Sequence, residues 1–164
     1  MLRFAEKQGR EIYMIGAREI ELAGRLADVA GGVIRPFFRA SFDHEAKADS
    51  TPVTEADRAA EAAIRAILDV ECPTDAIVGE EYGEKSGTSG RTWVIDPIDG
   101  TISFMAGRPI FGTLIALLED GWPVLGVIDQ CINRERWIGV AGQGTTLNGR
   151  PVSTRACREL AQAS

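Results

Sequence analysis

The sequence predicts an α+β fold in which two N-terminal helices pack on a mostly antiparallel sheet. Two early segments repeat their apolar residues at helical spacing. Short apolar runs separated by glycine-containing turns fill the remainder, as is typical of consecutive strands. The 164 residues are 45% hydrophobic and contain no evident repeat or linker, so we expect one domain with a sizeable core.

The first helix is predicted over residues 15–38. Apolar residues recur there at helical spacing, with charged residues between them, and form a stripe of Ile20, Ala23, Leu26, Ala27 and Ala30. The Gly31-Gly32 pair weakens the centre of this helix, and Pro36 is expected to interrupt it near its end. Residues 40–50 are polar and are predicted to form a loop.

The second helix is predicted to start after Pro52, with Thr54 as its N-cap. Asp57 then falls at the third helical position, where an acid commonly completes a capping box. From its spacing alone, Asp57 is therefore either a capping residue or a functional acid.

The strand region begins near Cys72. The runs "AIVGEE" and "TWVID" are predicted strands that both end in acids. Asp120-Gly121 and Asn148-Gly149 are dipeptides typical of tight hairpin turns, so the following strands are expected to pair in antiparallel order. The helices-then-strands order favours α+β layers with an antiparallel or mixed sheet.

Composition excludes several classes of function. The chain has 18 Lys and Arg residues against 24 Asp and Glu residues, a formal net charge of −6, so no general affinity for nucleic acid is expected. Its three cysteines lie far apart, which favours reduced thiols and a cytoplasmic location. Residues 1–13, before Met14, are expected to be an N-terminal extension without signal-peptide character, and no run is long enough to cross a membrane.

Several familiar catalytic sites are also missing from the sequence. It contains no Gly-x-x-x-x-Gly-Lys phosphate loop and no Gly-x-Ser-x-Gly elbow. The only histidine is His44, in the predicted polar loop, so a Ser-His-Asp triad or a histidine-rich zinc site is not expected.

Acids at the ends of the first two predicted strands are the strongest candidates for chemistry. Glu80 and Glu81 end one strand, and Asp96 and Asp99 end the next. If these strands are neighbours, their carboxylates converge and repel one another unless a cation neutralises them. Oxygen ligands without histidine or cysteine suit Mg²⁺ or Mn²⁺.

The stretch "DPIDGT" gives this hypothesis a second part. Pro97 is expected to stiffen the turn so that both aspartates point to one side, and Gly100 lets a ligand approach the backbone. A helix starting near Thr101 would direct free N–H groups at the same place, which favours phosphate. A plain turn remains the alternative interpretation of these six residues.

Three segments in order resemble the inositol-monophosphatase superfamily of Mg²⁺-dependent, lithium-sensitive phosphatases. They are "STPVTEAD", "VGEE" and "WVIDPIDGTISF". The later segments "GRPIFGTLIALLEDGWPVLGVIDQ" and "RERWIGVAGQGTTLNGRPV" look closest to the histidinol-phosphate phosphatase branch. The resemblance covers residues 15–153 and implies the N-terminal half of the layered sugar-phosphatase fold, so residues 14–164 are expected to form a metal- and phosphate-binding domain without its C-terminal partner domain.

The resemblance implies a role for individual residues. The first metal would be held by Glu80, Asp96 and the backbone carbonyl of Ile98, and the second by Asp96 and Asp99. The N–H groups of Gly100 and Thr101 would hold phosphate. Thr101 with Asp57 would orient and deprotonate the attacking water, while Glu81 and Lys47 would support the site from outside the ligand set.

The resemblance also implies residues that this sequence does not contain. Family members carry a later Trp-Asp-x-Ala motif whose aspartate completes the second metal site, and no such motif occurs in these 164 residues. Two hypotheses follow. The chain is half of a phosphatase acting on histidinol phosphate or an inositol monophosphate, as a homodimer or with its other half; alternatively, it is a non-catalytic fragment that binds metal and phosphate and self-associates.

Overall fold

The computed structural model describes residues 15–40, 52–159 and 161. The predicted N-terminal extension, residues 1–13, lies outside the described residues. So do His44 and Lys47 of the predicted polar loop.

Two long helices precede the sheet, as predicted, but their bounds differ from the prediction. Helix α1 spans Ala17–Ile34 and ends four residues earlier than expected, because Pro36 interrupts it and lies in a 3₁₀ turn over Arg35–Phe37. Helix α2 spans Pro52–Glu71. Thr54 therefore lies within its first turn and is not the N-cap, since proline is itself well suited to the first helical position.

Among the described residues, the sheet has eight strands in the order β2-β1-β3-β4-β5-β6-β7-β8, and only the β1–β3 pair is parallel. Their bounds are β1 Ala76–Gly79, β2 Gly83–Lys85, β3 Arg91–Asp99, β4 Gly112–Glu119, β5 Trp122–Gln130, β6 Glu135–Val140, β7 Gly144–Leu147 and β8 Arg150–Val152. A short helix α3, Thr101–Met105, connects β3 to β4. The predicted mostly antiparallel sheet is confirmed.

Both predicted hairpin turns are present. Asp120 and Gly121 have φ of 49° and 80°, and they join β4 to β5. Asn148 and Gly149 have φ of 49° and 76°, and they join β7 to β8. Two successive positive φ values match the right-handed twist of paired strands, which is why these dipeptides favour hairpins.

The core lies between the two helices and one face of the sheet. Helix α1 contacts β4 and β5, and helix α2 contacts β3. Alternate residues of these strands point at the helices and are buried, among them Trp93, Ile95, Ile115, Leu117, Leu125 and Val127. Among the helices that the structure describes, none combines the length and the apolar character needed to cross a bilayer.

Candidate metal and phosphate site

The parallel pairing of β1 and β3 brings the ends of two acidic segments together. Gly79 lies opposite Ile95, and the Glu80 N–H donates to the Ile95 carbonyl at 3.2 Å. Glu80 therefore lies beside Asp96, the next residue of β3. The expected convergence of Glu80 and Asp96 follows directly from this register.

Strand β3 carries a bulge between its two aspartates. Asp96 lies opposite Leu114 and Asp99 opposite Gly112, so β3 has one more residue than β4 over this interval. The buried Thr113 hydroxyl donates to the Pro97 carbonyl at 2.8 Å and fixes the bulge. The strand thus extends to Asp99, beyond the predicted "TWVID", and Pro97 lies in an irregular part of it rather than in a free turn.

Asp57 joins this group from helix α2. Its side chain is 4% exposed, and its pKa is raised to about 7, first by burial and then by the charges of Glu81, Glu80 and Asp96. The Ile98 backbone amide acts in the opposite direction. Because α2 begins at Pro52, Asp57 lies beyond its first three positions, and the capping-box interpretation is wrong.

Asp96 has a similar environment. Burial is the largest cause that raises its pKa to about 7, followed by the Glu80 carboxylate and by Asp99. In the described part of the chain, Asp57 Oδ1 and Asp96 Oδ1 are buried and have no hydrogen-bond partner. Unpartnered acceptors of this kind are costly unless something else satisfies them.

These residues fit a hard divalent cation by their chemistry. All their donors are oxygens, two of those oxygens are buried without a partner, and the carboxylates raise one another's pKa. Within residues 15–40, 52–159 and 161, however, no three acidic, histidine or cysteine side chains are gathered closely enough to form a ready cage. The side chains of Glu80 and Asp99 are exposed to solvent, so a bound cation would have to draw them towards Asp96.

The turn after β3 has the predicted form. Gly100 adopts φ 97° and ψ 39° and precedes helix α3, which begins at Thr101. The positive φ favours glycine at this position, and the space is also tight, since a Cβ on Gly100 would lie 3.2 Å from the Ile110 carbonyl oxygen. The first N–H groups of α3 have no acceptor within the helix. No hydrogen bond among the described residues joins Thr101 to Asp57, although α2 contacts α3.

An aromatic cluster holds α3 in place. Phe104 of α3 packs edge-on against Phe111 at 5.0 Å between ring centroids, and Phe38 contacts both rings. Arg39 stacks on Phe38 and donates from Nε to the Gly107 carbonyl at 2.8 Å. These contacts tie the segment after α1 to the Gly100–Thr101 turn.

Sequence reasoning missed two residues that support the site. Glu61 is fully buried one helical turn after Asp57, and its carboxylate accepts from the Glu81 N–H at 2.8 Å. Gln130 donates to the Pro109 and Phe111 carbonyls and thereby holds the loop that packs on Gly100. Glu61 could have been noticed because it is an acid on the apolar stripe of α2. No pattern in the sequence indicated the role of Gln130.

The fold and the site together define a class of protein, namely an α+β domain whose carboxylates converge beside the start of a short helix. The family model described as "Inositol monophosphatase family" matches residues 17–164, and the chain belongs to this family.

Individual relatives are similar over most of this chain. A protein named "Bifunctional phosphatase IMPL2, chloroplastic" from Arabidopsis thaliana is 54% identical over 140 residues, which are 84% of this chain and 40% of that protein. A histidinol-phosphatase from Chlorobaculum parvum is 43% identical, over 86% of this chain and 55% of its own. The structure of an inositol monophosphatase from Zymomonas mobilis is 54% identical with a TM-score of 0.77, and the match covers 90% of this chain and 56% of that one.

The chain spans about half the length of the curated relatives it matches, between 40% and 58% of the first three. The match therefore concerns one half of each relative. This agrees with the prediction that the chain resembles the N-terminal half of the family fold.

Proposed function

We propose that this domain provides the metal- and phosphate-binding half of a phosphomonoesterase. The single observation that carries the proposal is the convergence of Asp57 and Asp96, each with a buried and unpartnered carboxylate oxygen, beside the Gly100–Thr101 turn. Acidic oxygens and free N–H groups in one place suit a metal-bound phosphate ester. Family membership supports this assignment.

The proposed roles follow from the positions of the side chains. Glu80, Asp96, Asp99 and the Ile98 carbonyl would hold two divalent cations, Mg²⁺ or Mn²⁺. When bound, these ions supply charge neutralisation and a water of lowered pKa. The N–H groups of Gly100 and Thr101 would bind phosphate oxygens.

Asp57 is the proposed base. Its buried Oδ1 is free to accept a proton, and burial beside other acids raises its pKa to about 7, which favours proton uptake near neutral pH. We propose that Thr101 hands the proton of the attacking water to Asp57. Glu81 and Lys47 would support the site from outside the ligand set.

The proposed substrate is a small phosphate monoester, either histidinol phosphate or an inositol monophosphate. Identity does not separate the two candidates, because the histidinol-phosphatases are 43% and 41% identical to this chain while a solved inositol monophosphatase is 54% identical. We propose histidinol phosphate first, and with it a place in histidine biosynthesis, because the segments after Gly107 look closest to the histidinol-phosphate phosphatase branch. Lithium sensitivity is part of the same proposal. Unpaired Cys72, Cys131 and Cys157 support a cytoplasmic location.

A non-catalytic role is the second candidate. The chain corresponds to about half of each relative, and within the described residues no ready cage of acids is present. A domain that binds metal and phosphate without turnover, and that self-associates, would be consistent with both observations.

Phosphate release separates the two candidates. The 164-residue chain is incubated with histidinol phosphate or inositol 1-phosphate while Mg²⁺ is varied, with and without Li⁺. Mg²⁺-dependent release that Asp96→Asn abolishes supports the phosphatase. Mg²⁺ binding without release supports the non-catalytic candidate, and release that survives in Asp96→Asn refutes the metal mechanism.

A further inference from the structure

The turn that carries Glu80 is anchored by a buried carboxylate that belongs to neither the proposed ligands nor the proposed base. Glu61 lies on α2, and its side chain is 0% exposed. Its Oε2 accepts from the Glu81 N–H at 2.8 Å, and its Oε1 accepts from the Tyr82 N–H at 3.3 Å. The two amides that follow Glu80 are therefore held by one side chain.

Arg65 completes this anchor from the next turn of α2. Its Nε donates to Glu61 Oε1 at 2.7 Å, and its side chain is 15% exposed. The same guanidinium donates to the Gly83 carbonyl and lies over the Tyr82 ring. Glu61 thus accepts hydrogen bonds from two N–H groups of the turn, while Arg65 donates to the Gly83 carbonyl. The charge of Arg65 also neutralises the buried Glu61 carboxylate.

Gly79 shows how closely Glu61 fits against the end of β1. A Cβ at Gly79 would lie 1.8 Å from Glu61 Oε1 and 2.3 Å from its carboxyl carbon. The carboxylate therefore packs directly on the backbone that leads into Glu80. Any side chain at position 79 would displace it.

The anchor opposes a specific electrostatic force. Glu80 lies beside Asp96, and the like charges of these residues repel when no cation lies between them. Glu80 is exposed, so its own packing does little to resist this repulsion. The backbone of its turn is instead fixed from the opposite side by α2, the helix that also carries Asp57.

We propose that Glu61, with Arg65, is a positioning residue that holds the turn 80–83 so that Glu80 stays beside Asp96 ready to bind a cation. This inference rests on the proposed function, because cation binding is one of its two readouts. Helix α2 then supports the site through two residues one helical turn apart. Asp57 belongs to the site itself, and Glu61 positions Glu80, which follows strand β1.

The test compares Glu61→Gln with Glu71→Gln, which makes the same change on the same helix at a residue paired with Arg25. Backbone hydrogen exchange is measured on the metal-free chain, and Mn²⁺ affinity is measured from the spin resonance signal of free Mn²⁺. We expect Glu61→Gln to raise exchange at Glu81 and Tyr82 and to weaken Mn²⁺ affinity about tenfold, the range typical of residues that support metal ligands. Glu71→Gln should change neither.

The two measurements test the two parts of the proposal separately. Unchanged hydrogen exchange in Glu61→Gln would show that Glu61 does not hold the turn, and faster exchange with unchanged Mn²⁺ affinity would refute its positioning role. Failure of the parent chain to bind Mn²⁺ overturns the proposed function instead, while the exchange data still decide whether Glu61 holds the turn.

A second pair of variants keeps the test decisive if Glu61→Gln does not fold. Gly79→Ala leaves the Glu61 charge in place but pushes its carboxylate away from the turn. Gly126→Ala on β5 is the matched control, since nothing lies within 4 Å of its added Cβ. Weaker Mn²⁺ binding in Gly79→Ala alone supports the proposal, and equal binding in both variants overturns it.

Discussion

At the scale of single residues, Asp57 and Asp96 are carboxyl groups whose surroundings oppose their charge. Each is desolvated, each faces other acids, and each has a pKa raised to about 7. Such an arrangement weakens the metal-free fold and strengthens the attraction for a cation. The same two residues therefore predict both a pH effect and a metal effect on stability.

Lowering the pH should stabilise the metal-free chain. The ordinary pKa of Asp57 is 3.8, and its folded value is about 7, so between these pH values the folded state binds a proton that the unfolded state lacks. Stability should consequently rise as pH falls from 7 to 4, with a contribution from Asp57 of about 1.4 kcal/mol per pH unit at most. Urea unfolding in the presence of a chelator measures this slope. Asp57→Asn should have a shallower slope, and identical slopes in the two proteins would contradict the assignment.

Asp96→Asn should separate fold stability from metal binding. In the metal-free protein the change removes repulsion with Glu80, so stability should stay equal or increase. When Mg²⁺ is present at about a hundred times its Kd, the free energy of unfolding of the parent should rise by about 2.7 kcal/mol, whereas that of the variant should hardly change. Thermal unfolding with and without Mg²⁺ measures both effects. Asp69→Asn, on the exposed side of α2, is the control and should keep the full gain.

At the scale of elements, the Gly100 turn combines an unusual backbone conformation with close packing. Gly100→Ala places a methyl group at positive φ and against the Ile110 carbonyl, whereas Gly121→Ala places one at positive φ in open space. The positive φ alone costs an alanine about 1–2 kcal/mol. Gly100→Ala should therefore lower the free energy of unfolding clearly more than Gly121→Ala. Urea unfolding of both variants measures the difference. Equal losses would show that the turn relaxes freely around the added methyl.

Elements fixed by local chemistry could be predicted from the sequence. Asp120-Gly121 and Asn148-Gly149 form the expected hairpins because their preference for positive φ is a property of the dipeptides themselves. Helix α1 ended early for an equally local reason, the lack of an N–H at Pro36. The strand-end acids were also predictable, since β1 and β3 needed only to be neighbours for Glu80 and Asp96 to meet.

Long-range relations could not be predicted from spacing alone. Asp57 had two interpretations until the start of α2 and the burial of Asp57 beside other acids were known. Glu61 contacts amides twenty and twenty-one residues away along the chain, and Gln130 contacts carbonyls nineteen and twenty-one residues away. Such contacts depend on how helix and sheet are packed, and no local pattern encodes them.

At the scale of the whole molecule, the two faces of the sheet differ. The helices cover one face, while the other presents a row of apolar side chains across β4, β5 and β6, formed by Leu114, Ile128 and Trp137. Ile128 is 53% exposed at the centre of this row. An apolar row of this kind on an eight-stranded sheet favours burial against another surface.

We therefore expect the isolated chain to form at least a dimer through this face. Ile128→Lys should shift it towards monomer, because a lysine at the centre of the row would have to be desolvated in the interface. Val70→Lys is the matched control: Val70 is 79% exposed, but it lies on α2 and away from the row, so its replacement should leave association unchanged. Sedimentation velocity over a range of concentrations measures the difference. A well-folded parent that remains monomeric would rule out self-association, and equal association of the two variants would place the interface on another surface.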